Sequence, residues 1–455
     1  MAASVALLLV PATLAYDAWA WLVWGRELLH LELDTTGGPS WKPLPVILAV
    51  PLAGLGSLAP VAWLVLTRTL GLLSVLGAYR LARTFGGRSA GILAAGLLLL
   101  TPDRGPRFVR LVLEGHSAPV TAGLALWAVD RHLAARPGQA LGLLTLLALD
   151  RPESWPFLVL YGLWTWRRHP RSRPLVAACV AAIPLLWFGV DWWGSGSPLH
   201  GADAAQVVTG SGRLGEALDR ALASVILPAW IAAGVALVLS VRAGRSGVAP
   251  GPTVPGRRPL APTVPVLAAA ALGWSIVAVA MSATLGYAAL ARFFLPAAAL
   301  IVVVAAVGVV LAVESTPRGW RRAIAVAAIA GLSLPSVAAR TSNLGRLVEE
   351  IDRRAVADRD LAAVVREADI ATRLIGCPPL SMDGALVPRP ALAWRAGLPL
   401  SAVRSLPASP AGILVVRTGS EDDTRLSVSE VPVTRLAQQG GWVVAAADCS
   451  SPDRP

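Results

Sequence analysis

The chain alternates long apolar segments with short clusters of arginine. Of its 455 residues, 55% are hydrophobic and only 15% are charged, whereas soluble domains carry about a quarter charged residues. A run of about 20 apolar residues can cross a bilayer as a helix. The pattern therefore predicts an all-α polytopic membrane protein with about eleven transmembrane helices. The predicted spans are 2–16, 60–82, 88–101, 117–131, 139–150, 154–168, 174–190, 221–240, 263–285, 293–312 and 321–338.

The arginine clusters determine the predicted orientation. Basic residues near the ends of spans are enriched on the cytoplasmic side, and with this number of crossings all the clusters fall on one side. The excess of 40 Lys and Arg over 28 Asp and Glu is thereby explained without a nucleic-acid partner. The first apolar run has no basic residue before it, which favours an uncleaved helix over a signal peptide. The clusters are Arg80/Arg83/Arg88, Arg131/Arg136, Arg167/Arg168/Arg171/Arg173, Arg242/Arg245/Arg257/Arg258 and Arg318/Arg321/Arg322.

Two segments of the predicted membrane domain, residues 1–339, do not fit the pattern of spans. Residues 44–56 are apolar but too short to cross, and they contain Pro45 and Pro51. We expect them to lie as a helix at the outer interface. The Pro- and Gly-rich stretch 242–262 is expected to be a disordered cytoplasmic loop.

Residues 340–455 differ in composition and predict a small extracytoplasmic α/β domain. Residues 344–373 have the pattern of an amphipathic helix, and the apolar runs 412–416 and 441–445 have the pattern of strands. Cys377 and Cys449 both belong to this domain and could pair in an oxidising compartment.

Polar side chains gather where the predicted spans leave the membrane on the outer side. Arginine binds phosphate through two parallel hydrogen bonds, lysine binds it as a point charge, and a carboxylate accepts a proton from an attacking hydroxyl. This combination at a membrane surface predicts a lipid phosphate as substrate. The sequence has no Gly-rich phosphate loop, no Gly-x-Ser-x-Gly motif and no His/Cys cluster with metal-ligand spacing. The candidate residues are Asp17, Lys42, Glu114, His116, Arg151, Glu153 and Arg292.

Asp17 is the strongest candidate because it lies directly after the first apolar run. An ionisable residue at the edge of a membrane span is costly to keep there, which favours a function. Asp17 could instead cap the helix that follows it. Lys42, about twenty-five residues later, could simply extend its ammonium group to the interface.

The other candidates also have ordinary structural interpretations. Glu114 and His116 could be solvated loop residues. Arg151 and Glu153 could pair only with each other. Arg292 could equally be an interfacial anchor or a contact to a lipid phosphate.

Three segments resemble bacterial GT-C glycosyltransferases, in particular those related to protein O-mannosyltransferases and lipid A aminoarabinose transferases. They are Lys42-Pro43-Leu44-Pro45, residues 68–75 and residues 79–91. These families have an Asp after helix 1, a Lys-Pro-Pro motif before helix 2 and a Gly-Arg-x-x-Gly-like start to helix 3. The resemblance covers roughly the first 190 residues. Asp150-Arg151-Pro152-Glu153-Ser154-Trp155 is similar to the Arg-Pro outer loops of some lipid-linked mannosyl- and glucosyltransferases.

The resemblance implies roles for individual residues. Asp17 would be the catalytic or acceptor-orienting carboxylate, Lys42 and Arg151 would contact the donor phosphate, and Glu114 stands where the family more often has Asp. The sequence departs from the family by having one Asp rather than an acidic pair in the first loop, and by Leu44 in place of the second proline. Asp17 and Glu114 could hold a divalent cation such as Mg or Mn, or could act without one.

These observations predict a multi-pass enzyme of the cytoplasmic membrane. It would transfer a sugar from a polyprenyl-phosphate donor to a glycan, lipid or protein acceptor of the cell envelope, on the outer face and with inversion. A transporter or flippase of lipid-linked intermediates is the first alternative, although such proteins carry charges at mid-membrane and often internal repeats. A non-catalytic envelope-assembly protein is the second alternative.

Overall fold

The computed structural model of the chain describes residues 13–101, 107–206, 213–246, 258–260, 262–288, 290–383, 388–406, 411–427 and 432–449. Most of the predicted first span, 2–16, lies outside these residues, as does most of the predicted loop 242–262. The described part is mainly helical. Its helices are α1 Tyr16–His30, α2 Pro43–Ala53, α3 Ala59–Leu99, α4 Arg107–Leu113, α5 Ala118–Leu133, α6 Pro137–Ala148, α7 Trp155–Arg168, α8 Arg173–Pro184, α9 Val190–Ser195, α10 His200–Ala204, α11 Arg213–Ala223, α12 Leu227–Ser246, α13 Thr263–Leu285, α14 Leu295–Ser315, α15 Trp320–Thr341, α16 Leu344–Glu367, α17 Ile370–Gly376, α18 Arg389–Ala396 and α19 Glu421–Ser427.

Within the described residues, six helical stretches are long and apolar enough to cross a membrane, so the chain is a multi-pass membrane protein. Three predicted spans correspond to shorter helices, α5, α6 and α7, and the total of about eleven crossings stays a prediction. The six stretches are Gly56–Leu99, Pro170–Ser195, Leu227–Arg245, Thr263–Leu285, Ala291–Ser315 and Trp320–Glu367.

The described residues form two compact units. The helical unit comprises 66–187 and 204–347, and the mixed unit comprises 13–65, 188–203 and 348–449. The helical unit is built around α14, and 89% of the most apolar part of this helix is buried inside the protein. Gly308 allows α14 to pack closely on α12, because a Cβ at this position would lie 1.9 Å from the carbonyl oxygen of Ala232. Small residues permit this close approach of membrane helices.

The predicted spans 60–82 and 88–101 are joined end to end in α3, with a break at Gly87. This residue has φ 74° and ψ −168°, which a residue with a side chain rarely adopts. The predicted start of the span 221–240 is wrong: the helix begins at Leu227, and residues Arg213–Ala223 form the separate helix α11. Leu214, Leu218 and Leu222 give α11 an exposed apolar face, which made its last residues look like the start of the span.

The mixed unit combines helices with a five-stranded sheet. The strands lie in the order β2-β1-β3-β5-β4, with β1 parallel to both its neighbours and the remaining pairs antiparallel. Trp442 of β5 donates its indole N–H to the carbonyl oxygen of Ala357 on α16 at 3.0 Å, which attaches the sheet to the helix. Cys377 and Cys449 form a disulfide with their Cα atoms 4.9 Å apart. The strands are β1 Leu380–Met382, β2 Val403–Ser405, β3 Gly412–Arg417, β4 Val433–Gln439 and β5 Trp442–Ala447.

Helices α1 and α2 also belong to the mixed unit. Pro43 begins α2, where its missing N–H costs no hydrogen bond, so the segment predicted to lie at the interface is indeed helical. Gly25 of α1 lies directly against the backbone of Ala49 on α2. This tight contact holds the residues on either side of the first loop in fixed positions.

Candidate functional site

Asp17 lies in the first turn of α1 and is 8% exposed. The N-cap residue of this helix is Ala15, so Asp17 is not the cap that the alternative interpretation required. The carboxylate lies at the end of α1 that carries the positive pole of the helix dipole. Its burial separates it from bulk water, as expected for a group that acts on a bound substrate.

Lys42 lies on the same side of α1 as Asp17. Its ammonium nitrogen is 5.8 Å from the ring centroid of Trp21, and Trp21 is one helical turn from Asp17, at i+4. Lys42 is only 9% exposed, so it is not a side chain that merely extends into solvent. The mixed unit therefore brings a buried carboxylate and a buried ammonium group to one face of α1.

The loop between α1 and Lys42 is fixed by hydrogen bonds within the mixed unit. Asp191, 2% exposed, accepts hydrogen bonds from Thr35 Oγ1 at 2.9 Å and from the N–H of Gly201 at 2.7 Å. Asp34 accepts a hydrogen bond from Ser401. The loop is thus ordered by residues far away in sequence.

Arg26 and Glu27 are adjacent charged residues of α1 close to this loop, the first half-buried and the second buried. The Arg26 guanidinium donates to the carbonyl oxygens of Trp394 at 3.0 Å and Leu398 at 2.7 Å, at the end of α18. Glu27 Oε2 accepts the N–H of Asp34 at 3.0 Å. Burial raises the pKa of Glu27 to about 7, because desolvation outweighs this hydrogen bond and the charge of Arg26.

Glu114 is the centre of a charged network in the helical unit. It follows α4 and is 3% exposed, so it is not a solvated loop carboxylate. Its Oε1 accepts from Nε of Arg110 at 3.0 Å, and its Oε2 lies 3.4 Å from Nε2 of His116. On the other side of the imidazole, Nδ1 of His116 lies 3.2 Å from Nη1 of Arg292. Three sequence-predicted residues are therefore directly connected.

The turn that carries Glu114 is held by Arg68 of α3. Arg68 is fully buried and donates through Nη2 to the carbonyl oxygen of Leu113 at 2.9 Å. Gly115, the next residue after Glu114, has φ 72°, a conformation that glycine adopts without strain. These two residues direct Glu114 and His116 towards Arg292.

Arg151 is joined to the same part of the helical unit through Phe293. Its guanidinium carbon lies 4.6 Å from the Phe293 ring centroid, and that of Arg292 lies 5.8 Å from the same ring. Arg151 is 3% exposed, and its ion pair is with Asp150, whose Oδ2 lies 3.8 Å from Nε, rather than with Glu153. The Arg151 side chain makes no hydrogen bond to any described residue, which leaves its donors available to a ligand.

Glu153 follows Arg151 by two residues and is 3% exposed. Burial, with the charge of Glu153 added, raises the pKa of the Tyr287 hydroxyl. The helical unit therefore carries five of the predicted residues, and the mixed unit carries Asp17 and Lys42. The five are Glu114, His116, Arg151, Glu153 and Arg292.

A metal site is not evident in the part of the chain that the structure describes. There, no group of three or more His, Cys, Asp and Glu side chains is arranged to hold an ion. Glu114 is bonded to cationic or neutral nitrogen donors, Arg110 and His116, which compete with a metal for its oxygens.

Three residues that contact the candidates were not themselves among the seven candidate residues. Phe293 supports two guanidinium groups, and Trp21 lies beneath the Lys42 ammonium group. Asp150 is fully buried beside Arg151. Only Asp150 had a sequence signal, its position next to Arg151, because aromatic contacts between distant segments leave no mark in the sequence.

An apolar cavity of about 570 Å³ lies in the helical unit next to this network. Its wall includes Phe157, Leu160, Trp274 and Leu300. The indole N–H of Trp274 donates to the carbonyl oxygen of Phe293 at 2.8 Å. Phe293 therefore contacts both a residue of the cavity wall and, through its ring, the guanidinium groups of Arg151 and Arg292. At another point of the wall are His132, Tyr161 and Trp164, which contact one another through their rings.

No protein-family model and no curated protein sequence matches the chain. Solved structures do match it. The crystal structure of ArnT from Cupriavidus metallidurans bound to undecaprenyl phosphate is 15% identical in sequence, with a TM-score of 0.57 over 100% of this chain and 98% of that one. The apo structure of the same protein is 17% identical, with a TM-score of 0.55 over 96% and 94%.

A second protein has a similar fold. The oligosaccharyltransferase of Archaeoglobus fulgidus, crystallised with Zn and sulfate, is 12% identical, with a TM-score of 0.50. The match covers 96% of this chain and 69% of that chain. Both neighbours are GT-C glycosyltransferases, so the GT-C fold that the sequence predicted is confirmed.

Proposed function

We propose that this protein is an integral membrane glycosyltransferase that uses a polyprenyl-phosphate sugar as donor. The observation that carries the proposal is Arg151, a buried arginine with free donors beside an apolar cavity. A polyprenyl phosphate matches this arrangement, because it consists of a long apolar chain and a phosphate. The chain would occupy the cavity, and Arg151 with Arg292 would bind the phosphate.

The two structural neighbours support this donor class. ArnT was crystallised with undecaprenyl phosphate, and the present chain shares its fold over nearly the full length of both chains. A shared fold does not establish a shared activity, so the residues of this chain must carry the argument. The residues of this chain support the proposal because cations and carboxylates are in contact at buried positions, where electrostatic interactions are stronger than in water.

In the proposed reaction, an acceptor hydroxyl attacks C1 of the sugar. The new bond joins the acceptor oxygen to C1, the bond from C1 to the phosphate oxygen breaks, and attack opposite the leaving group inverts the configuration. Asp17 takes the hydroxyl proton as general base. Polyprenyl phosphate leaves with an additional negative charge, which Arg151 and Arg292 of the helical unit stabilise; the family resemblance implies a donor-phosphate contact for Lys42 as well. Glu114, held by Arg110 and His116, orients the reacting groups as the second carboxylate.

The acceptor would be a component of the cell envelope. The positive-inside distribution of arginines assigns the loops that carry the candidate residues, and the sheet of the mixed unit, to the outer face of the cytoplasmic membrane. The disulfide between Cys377 and Cys449 supports this location, because such bonds persist in oxidising compartments.

The test is sugar transfer by the purified full-length protein. A panel of polyprenyl-phosphate sugars, with an envelope fraction as acceptor, would be assayed with wild type, Asp17→Asn and Glu114→Gln. The matched controls are Asp352→Asn and Glu216→Gln, both at exposed positions. We expect loss of about 100-fold or more in the first two variants and normal rates in the controls.

Three outcomes would contradict the proposal. Transfer that survives in Asp17→Asn and Glu114→Gln would remove both carboxylates from the chemistry. Absence of transfer with every donor, together with movement of a lipid-linked sugar across vesicles containing the protein, would favour the transporter. A scaffold would show neither activity and would tolerate all four substitutions in cells.

A further inference from the structure

The mixed unit contains a second large cavity, of about 580 Å³, whose lining includes none of the seven candidate residues. Among its described lining residues, the charged ones are four arginines and one aspartate, so its charge is positive. The five are Arg26, Asp358, Arg359, Arg366 and Arg395. A cavity with this excess of cations attracts an anion.

Arg395 is close enough to Asp358 for the two charges to interact, but its guanidinium donors are not filled by hydrogen bonds. Its side chain makes no hydrogen bond to any described residue, and its Nη1 atom is buried. Its guanidinium carbon lies 5.0 Å from the ring centroid of Trp19, which holds it in position. Leaving a buried guanidinium donor unsatisfied is costly, and an anion in the cavity would remove this cost.

The other charged residues differ from Arg395. Arg26 already donates to two backbone carbonyl groups, and Asp358 already accepts from Thr13 Oγ1 at 2.6 Å. Arg359 and Arg366 are exposed and lie at the cavity surface. The anion would therefore bind chiefly to Arg395, with two exposed arginines available to guide it in.

The remaining lining indicates where the cavity lies relative to the bilayer. Gly56, Ser57 and Val61 line it and belong to the first residues of the membrane-spanning stretch Gly56–Leu99. Leu58, next to them, is 64% exposed. Trp19 and Trp394 also line the cavity, and indoles are enriched at the membrane interface. Its apolar side therefore meets lipid at the level of the head groups.

We propose that this cavity binds a membrane lipid with a phosphate head group. The phosphate would accept hydrogen bonds from Arg395, and the start of the lipid chains would lie along Val61 and Leu64. Exposed basic residues near a membrane surface add to the attraction for anionic lipids. The inference does not depend on glycosyl transfer, because it concerns a separate set of residues.

The test measures thermal unfolding of the purified full-length protein in neutral detergent micelles. Phosphatidylglycerol is titrated in, with phosphatidylcholine and soluble glycerol 3-phosphate as comparison ligands. A ligand that binds the folded state raises the midpoint in proportion to its occupancy, so the titration gives an apparent affinity. We expect phosphatidylglycerol to raise the midpoint more than either comparison ligand.

Three variants identify the site. Arg395→Gln removes the cation and should weaken the apparent affinity about tenfold or more. Ala362→Phe fills the cavity while keeping every charge, and should weaken it similarly even if Arg395→Gln folds poorly. Arg404→Gln, at an exposed arginine of β2, is the matched control and should bind normally.

The outcomes separate the possible ligands. Loss of phosphatidylglycerol binding in both cavity variants but not in the control supports the proposal. Equal stabilisation of all the variants would mean that the lipid binds elsewhere and would overturn it. Equal stabilisation by glycerol 3-phosphate would show that the site takes a soluble phosphate, which would overturn the assignment to a membrane lipid.

Discussion

Arg292 and His116, 176 residues apart in sequence, are joined by a hydrogen bond of 3.2 Å between Nη1 and Nδ1. An arginine can only donate, so Nδ1 of His116 must accept, and the imidazole proton is on Nε2. This nitrogen faces Oε2 of Glu114 at 3.4 Å. The neutral imidazole thus links a proposed phosphate-binding arginine to a proposed active-site carboxylate.

Replacing His116 by Ala should reduce transfer without unfolding the protein. The substitution removes two polar contacts to charged groups, so we expect a loss of roughly tenfold or more. The loss should appear in kcat and in the KM for the donor, since both Glu114 and Arg292 lose their partner. The exposed residue His30 provides the control variant, His30→Ala. Normal kinetics in His116→Ala would show that the network has no part in catalysis.

Asp150 should act through Arg151, and a double-mutant cycle tests this. Asp150→Asn removes the charge next to Nε of Arg151, while Arg151→Lys keeps the positive charge but loses the planar group that lies on Phe293. Each change alone should raise the KM for the donor about tenfold. Because the residues form one unit, the double variant should be little worse than either single variant.

Simple addition of the two effects would contradict this coupling. The control for the arginine change is Arg168→Lys, at an exposed position of α7, which should leave the donor KM unchanged. Thermal midpoints measured alongside would reveal any loss of folding.

Stability should fall as the pH rises through 7, because of Glu27. Its pKa in the folded protein is about 7, above the ordinary value of 4.5, so the folded state holds the proton more tightly than the unfolded state. The contribution is therefore complete below about pH 4.5 and is lost as the pH rises through 7, by at most about 3 kcal/mol. Thermal midpoints between pH 5 and 8.5 would measure the decline.

The variant Glu27→Gln should flatten this dependence, because glutamine keeps the shape and cannot ionise. Glu32→Gln, at an exposed carboxylate five residues along the chain, should leave the decline as it is in wild type. An unchanged pH profile in Glu27→Gln would assign the decline to another group.

Gly308→Ala should destabilise the helical unit. The new methyl group would lie 1.9 Å from the carbonyl oxygen of Ala232, so α14 and α12 must move apart. Overpacking of this kind costs about 1–3 kcal/mol. A methyl group at Gly234 on α12 would meet no atom within 4 Å, so Gly234→Ala should keep or raise stability. Thermal denaturation followed by size-exclusion chromatography would compare them, and equal midpoints would contradict the prediction.

Hydrophobic patterning predicted much of the fold. The helix Thr263–Leu285 has the predicted bounds, strand β3 contains the predicted run 412–416, and strand β5 begins one residue after the start of the predicted run 441–445. Strands β1 and β2 have only three residues each, too few to show a period, and β4 is mostly exposed and polar. These strands are stabilised by their neighbours in the sheet rather than by a local pattern.

The candidate site was less predictable than the fold. Charge and position indicated Glu114, Arg151 and Arg292, because buried charges near membrane ends are rare. The pairing of Arg151 with Asp150 instead of Glu153 depends on how the short helix Pro152–Ser154 turns the chain, which spacing alone does not determine.

The contact between Arg26 and the carbonyl groups of Trp394 and Leu398 has a consequence for biosynthesis. The ribosome makes Arg26, on the helix α1 that carries Asp17, 368 residues before Trp394. The first loop therefore reaches its final arrangement only after more than 360 further residues have been synthesised. Until α18 and the residues after it have been made, Arg26 has neither of these two acceptors, so the contact between α1 and the end of α18 forms only after both segments exist.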